Sequence, residues 1–256
     1  MKRPEMILFD YGHTLLSEPG FDARRCEEAA FPYIVDNPQN FTAEQIYREV
    51  QNLFERFQRE RKNGIEIHQW QFMRLIYEYL GLTFSVSYEE LEEIEWTAAS
   101  PGAVMPKTEK LLAYLEKAGI RTAVLSNIGW SGQALTRRIN RLLPDNRFEF
   151  IMATSEYVLR KPDRMLFETA LRKAGLKPEQ VWYCGDSMEA DVTGAHGAGI
   201  YPVLYEGGAP HDANPSAHRN DGVEAAFAYL HIYDWDELIE VLEESSSTDR
   251  VTLLSP

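Results

Sequence analysis

Met6-Ile7-Leu8-Phe9-Asp10-Tyr11-Gly12-His13-Thr14-Leu15 is the stretch on which the fold turns. Four apolar residues make a short buried strand, and Asp10 followed by Gly12 marks a turn at its carboxyl end, so a carboxylate is displayed where the strand stops. The same rhythm returns after Pro106. Strands are expected over Thr122 to Leu125, Phe148 to Ala153, Val181 to Cys184 and Tyr201 to Tyr205. Helices are expected over Thr108 to Ala118, Gln133 to Leu143, Arg164 to Ala174 and Glu189 to Ala198, with Gly119, Gly175 and Gly199 as stops. Strands alternating with helices predict an α/β fold with a doubly wound parallel, Rossmann-like sheet, whose ligands sit beyond the strand carboxyl ends. Three such ends carry Asp10, Ser126 and Asp186.

From about Asp22 to Ala99 the periodicity is helical. Thr42 with Gln45 and Ser87 with Glu90 have the spacing of capping boxes, and Gly81 closes a helix containing Trp70, Phe72, Leu75, Ile76 and Tyr79. Three or four helices fit between Asp22 and Ala99. Pro/Gly turns at Ser17 to Gly20 and Ser100 to Ala103 join this insert to the rest at two points. The expected division is therefore a core from residues 1–17 and 103–256, with a helical insert over 18–102. Glu206 to Gly222 reads as a long loop, Trp235 to Leu242 as a last helix, and the tail from Ser245 as frayed.

The chain of 256 residues has 26 basic against 40 acidic residues, a formal net charge of −14. Such a field argues against nucleic acid or an anionic membrane as partner, and no local basic patch reverses it. Cys26 and Cys184 are too few for a disulfide framework, and Cys184, inside an apolar strand, reads as a core residue. The N-terminal apolar run is far short of a signal peptide or membrane span, so the expected location is the cytoplasm. The cap aromatics Trp70, Phe72, Tyr77 and Tyr79 read as packing and Arg160 as solvent-facing, and Trp130 is not assigned to the pocket. His211 and His218 lack metal-ligand spacing.

Four short patterns occur in order: Asp10-Tyr11-Gly12-His13-Thr14-Leu15, Ser126-Asn127, Lys161-Pro162, and Gly185-Asp186-Ser187 with Asp191. Together they resemble the haloacid dehalogenase-like (HAD) hydrolase superfamily, over about Met6 to Tyr205, and the helical insert resembles its C1-type cap domain. The resemblance implies that Asp10 attacks phosphorus and forms an aspartyl-phosphate. It implies Asp10, the Gly12 carbonyl and Asp186 as metal ligands, Ser126 and Asn127 as phosphoryl-binding residues, and Lys161 as the ammonium that neutralises charge and orients Asp10. Asp191 would stand behind them, steering Lys161 or a metal-bound water. A carboxylate attacking a phosphoryl group meets like charge, which calls for a divalent cation and a fixed ammonium. Two carboxylates with a carbonyl and waters form a hard-oxygen set that suits Mg²⁺.

The chain departs from the family pattern at one position. The family's phosphatases carry a second Asp two residues after the nucleophile as general acid and base, and here that position is Gly12. His13 is the adjacent side chain that could replace it. The expected function is a Mg²⁺-dependent phosphatase of a small phosphorylated metabolite, favouring leaving groups that depart unprotonated. Two alternatives stand beside it: a phosphate-binding or regulatory protein with weak turnover, and a carbon-halogen hydrolase of the haloacid dehalogenase type. Oligomeric state and the role of the 206–222 loop are not legible.

Overall fold

The computed structural model describes residues 2–207, 220 and 225–252. Its centre is a six-stranded sheet in the order β10-β9-β8-β1-β6-β7. These strands are β1 (Met6–Phe9), β6 (Arg121–Ser126), β7 (Phe148–Ala153), β8 (Val181–Gly185), β9 (Tyr201–Tyr205) and β10 (Leu230–Ile232). All of their pairings are parallel, as the alternating pattern predicts. β1 is the central strand, paired with β6 on one edge and β8 on the other. Every residue of Met6 to Phe9 is fully buried, because helices cover both faces.

Successive β1 side chains enter different cores, as the pleat requires. Ile7 and Phe9 join Leu111 and Leu115 of α5 (Thr108–Lys117), Leu135 and Ile139 of α6 (Gly132–Leu142), and Trp235 and Leu238 of α9 (Trp235–Thr252). Met6 and Leu8 join Leu166, Phe167 and Ala170 of α7 (Arg164–Ala174) and Ala195 of α8 (Gly194–Gly197). Gly194 permits that second packing, since a Cβ there would lie 2.6 Å from the Phe167 ring.

Four helices lie between β2 (Leu16–Ser17) and β5 (Ala103–Val104): α1 (Arg24–Ala30), α2 (Ala43–Lys62), α3 (Gln69–Leu80) and α4 (Tyr88–Ala99). Both expected capping boxes form, at Thr42/Gln45 and Ser87/Glu90, and Gly81 ends α3 at φ 72° in the left-handed region that glycine tolerates. These helices share a core of their own, with Phe72, Met73, Ile76 and Leu91 at its middle. Tyr79, expected to pack, is instead 77% exposed.

Several elements differ from the pattern read off the residues. β2 pairs antiparallel with β5, so the two connecting segments form a ribbon. A second ribbon joins β3 (Ile34–Asp36) to β4 (Thr83–Phe84). β10 adds an edge strand after the stretch expected to be a loop, and most of that loop, with His211 and His218, lies outside the described residues. α9 continues to Thr252 instead of fraying from Ser245. The segment expected to enter a regular helix at Glu189 winds as a π turn over Met188–Thr193 before α8 begins. No helix among the described residues is long and apolar enough to cross a membrane.

Candidate functional site

The sheet order explains why distant residues meet. β1 lies between β8 and β6, so Asp10, Asp186 and Ser126 emerge side by side at the carboxyl edge. Carboxylate oxygens of Asp10, Asp186 and Asp191 all lie within 4.8 Å of one another. Like charges at that spacing repel, so the cluster needs cations to persist.

Lys161 supplies one. Its side chain is 1% exposed, and its Nζ donates to Asp10 Oδ1 at 2.7 Å and to Asp191 Oδ1 at 2.6 Å. It also donates to Tyr183 Oη at 2.7 Å. Three N–H groups thus meet three strong acceptors, while the Leu125 carbonyl, 3.1 Å from Nζ, takes the Tyr183 hydroxyl hydrogen at 2.7 Å. Burial works against the Lys161 charge, yet the Asp10 and Asp191 carboxylates outweigh it and hold the ammonium above the ordinary lysine value. Burial lifts the Asp191 carboxyl above its usual range, with Lys161 pulling the other way.

The backbone that places Lys161 is gripped in turn. Asn127 Oδ1 accepts from the Lys161 N–H at 2.7 Å, and its Nδ2 donates to the Lys161 carbonyl at 3.0 Å. Asn127, expected on a phosphoryl oxygen, therefore has its side-chain amide engaged in holding Lys161. Ser126, 3% exposed, ends β6 beside it. Asp191 is held from below: Ser187 N donates to its Oδ2 at 3.0 Å, and the π turn is marked by Val192 N reaching Ser187 O at 3.1 Å. Gly185 makes room for that carboxylate, since a Cβ there would lie 2.3 Å from Asp191 Cγ.

Three further candidates follow Asp10. A Cβ on Gly12 would meet nothing within 4 Å, so the position holds open space. His13 is half-buried, in the left-handed region at φ 54°, with its N–H donating to Leu16 O at 2.7 Å. The Thr14 hydroxyl is buried with no hydrogen-bond partner.

Arg160, expected to face solvent, is turned inward by a buried carboxylate. Glu66, from the α2–α3 connection, pairs with Arg160 and, at 3.1 Å, with Arg61 Nε, and accepts from the Thr154 hydroxyl at 3.2 Å. Backbone bonds tie the same connection down: Gln69 N to Gly129 O and Arg160 N to Gly64 O, both 2.8 Å. The four-helix segment thus lies closed over the carboxyl edge. Arg61, Lys62, Arg160 and Lys161 line a cleft of about 530 Å³ that also reaches Asn127 and Ser187. Apart from Lys161, these cations carried no motif and could not be placed from the sequence. Trp130, not assigned to the pocket from the sequence, stacks on Trp96 at 5.0 Å and lines a second cavity between the helices and its own segment.

As donors, the carboxylates of Asp10, Asp186 and Asp191 form an all-oxygen set fit for a hard divalent cation. The arrangement can present a carboxylate oxygen to an electrophile whose charge is offset by Lys161.

Comparison with known proteins agrees with this geometry. The family model described as haloacid dehalogenase-like hydrolase matches residues 5–199. A glyceraldehyde 3-phosphate phosphatase of Methanothermobacter thermautotrophicus is 25% identical over 201 residues, covering 77% of this chain and 84% of that protein. One of Pyrococcus furiosus is 24% identical over 98% of each chain. Among solved structures, a 2-haloacid dehalogenase from Pseudomonas syringae pv. Tomato superimposes with a TM-score of 0.60 at 17% identity, over 95% of this chain and 99% of that one.

Proposed function

The chain belongs to the haloacid dehalogenase-like hydrolases, and from that premise we propose that it is a phosphatase of small phosphorylated metabolites acting through Asp10. The carrying observation is the Asp10 carboxylate at the end of the central strand, paired with buried Lys161 and within 4.8 Å of two further carboxylates. The two phosphatases of similar sequence support the substrate class.

In this reading Lys161 ties Asp10 Oδ1, which leaves Oδ2 as the attacking atom. The Oδ2–phosphorus bond forms as the bond to the leaving oxygen breaks, giving an aspartyl-phosphate. Water then attacks phosphorus, phosphate departs and the Asp10 carboxylate returns. Ser126 holds a phosphoryl oxygen through both steps, while the buried Lys161 ammonium offsets the charge and keeps Asp10 in place. Asp10, Asp186 and the Gly12 carbonyl would hold Mg²⁺, which when bound neutralises charge on the phosphoryl group. Asp191 acts by fixing Lys161. No carboxyl at position 12 protonates the departing oxygen, so aryl and acyl phosphates, whose leaving groups depart as anions, are the better substrates, with His13 as the replacement donor.

We assign residues 1–17 and 103–256 to the catalytic core and 18–102 to a cap that excludes water from the cleft. The cytoplasm is its compartment, in keeping with two buried free thiols.

Hydrolysis of an aryl phosphate with and without Mg²⁺, beside the Asp10→Asn variant, tests the reading. Metal-dependent turnover that falls by at least about 10³-fold in the variant is expected for loss of a covalent nucleophile. Gly12 favours a second reading, a phosphate-binding protein with lost turnover. Phosphate and Mg²⁺ binding without hydrolysis of any phosphate would establish it. Turnover of a haloacid without metal would instead favour the dehalogenase reading.

A further inference from the structure

A second cavity of about 380 Å³, in the size range of small-molecule sites, lies between the four helices and the Asn127 to Trp130 segment after β6. Its walls are mostly apolar, with Phe54, Phe72, Met73 and Ile76 prominent, and Arg61 and Asn127 line both it and the cationic cleft. The two spaces therefore adjoin at Arg61 and Asn127. A three-carbon body would leave most of the apolar wall unfilled, so the shape calls for a larger apolar body.

Two carboxylates interrupt the apolar wall. Glu27 of α1 is 4% exposed and Glu95 of α4 is 1% exposed. Both meet the Tyr77 hydroxyl, at 3.1 Å and 2.7 Å. A phenol has one hydrogen and can donate to only one of them, so the other contact needs a proton on a carboxyl group. Among the described residues, no basic side chain forms an ion pair with either, and the Gln69 amide reaches Glu95 only at 3.5 Å. Burial pushes Glu27 up to about 7 and Glu95 well above the usual carboxylate value. Two buried acids without a counter-ion are a costly arrangement that a ligand cation would relieve. A hydroxyl would bring one donor and no charge, leaving a carboxyl protonated, whereas an ammonium brings three donors and the missing charge. A bare metal ion would leave the apolar walls without a partner.

We propose that this cavity is the subsite for the substrate's body and that Glu27, Tyr77 and Glu95 select an amine, making the substrate an amine-bearing phosphomonoester with an apolar or aromatic body. The proposal rests on the phosphatase reading for the phosphoryl end alone.

The test compares tyramine O-phosphate with para-propylphenyl phosphate, which both release a para-alkyl phenoxide and differ in having ammonium or methyl at its tip. With wild-type protein and Mg²⁺, kcat/KM is expected to favour the amine by about tenfold or more, the scale of a charge-assisted hydrogen bond. In the Glu27→Gln, Glu95→Gln double variant the ratio should fall towards one. Equal turnover of the two esters by the wild type overturns the proposal and leaves the phosphatase reading standing. If neither ester is hydrolysed, calorimetric binding of the two corresponding phosphonates decides the subsite, and the Asp10→Asn assay on other aryl phosphates judges the phosphatase reading separately. Tighter binding of the amine upholds the subsite, and equal or absent binding overturns it.

Discussion

At the scale of single residues, Gly12 is the position with most to say about rate. Open space surrounds it, so Gly12→Asp restores a carboxyl group without displacing a neighbour. Turnover of alkyl phosphates, whose leaving oxygen needs a proton, should then rise by roughly 10² to 10⁴, with a smaller gain on aryl phosphates. Steady-state kinetics on one ester of each kind check this. His13→Ala is the companion measurement. A fall in kcat of roughly 10² at constant KM assigns proton transfer to the imidazole, whereas an unchanged kcat removes His13 from the chemistry. Asp10, Lys161, Asp186 and Asp191 could be singled out because each stands at a strand end or turn within an ordered set of motifs. The grip of Asn127 on Lys161 could not, because it joins residues 34 apart through backbone atoms that every residue carries. Arg160 escaped for a related reason. Its inward turn depends on Glu66, which only the closed helices bring near.

At the scale of elements, the ribbon of β2 and β5 is where the helical segment joins the sheet, and one side chain fastens it. Arg138 on α6 is 1% exposed and donates to Tyr11 Oη at 3.0 Å, to Ser100 O at 2.7 Å and to the Glu18 carboxylate. It thereby touches the turn after Asp10 and both connecting segments. Gly102 lets it pass, at φ 71° with a Cβ position 3.0 Å from Arg138 Nη2. Arg138→Leu keeps the bulk but leaves Tyr11 Oη and Ser100 O without this donor and Glu18 with the Tyr11 hydroxyl and no cation, so stability should fall by about 2–4 kcal/mol, read as a lower midpoint in urea. A midpoint within error of wild type would show that water replaces the guanidinium. Most helices were legible because caps and periodicity act locally. The two-residue strands and β10 were not, since so short a run has no period to detect. The π turn was hidden as well, because it is defined by where Asp191 must point rather than by helix propensity.

At the scale of the whole molecule, the buried acids of the helical segment couple folding to pH. Glu27 is pushed up to about 7 from an ordinary 4.5, with Glu95 and Tyr77 facing it. Between those values the folded protein keeps a proton that the unfolded chain has released, so this group's contribution to stability declines as pH rises through that window. The limit is on the order of 3 kcal/mol. Glu27→Gln removes the group's titration, so the variant's melting temperature relative to wild type should rise from about pH 5 to about pH 8. A constant difference would show that Glu27 titrates normally. The parallel sense of the sheet was readable because strand and helix alternate at regular spacing, whereas the strand order was not. The enclosed cavity was not, since Glu27 and Glu95 read as unremarkable charges on amphipathic helices until the helices are packed. The position of β1 has a last consequence, for the order of assembly. Its two neighbours begin at Arg121 and Val181, so during synthesis the strand that ends at Asp10 leaves the ribosome long before either edge it pairs with exists. The four helices, contiguous in the chain, are complete well before then. The segment bearing Asp10 is thus made before both of its partners and is sealed into place only once Val181 to Gly185 has emerged.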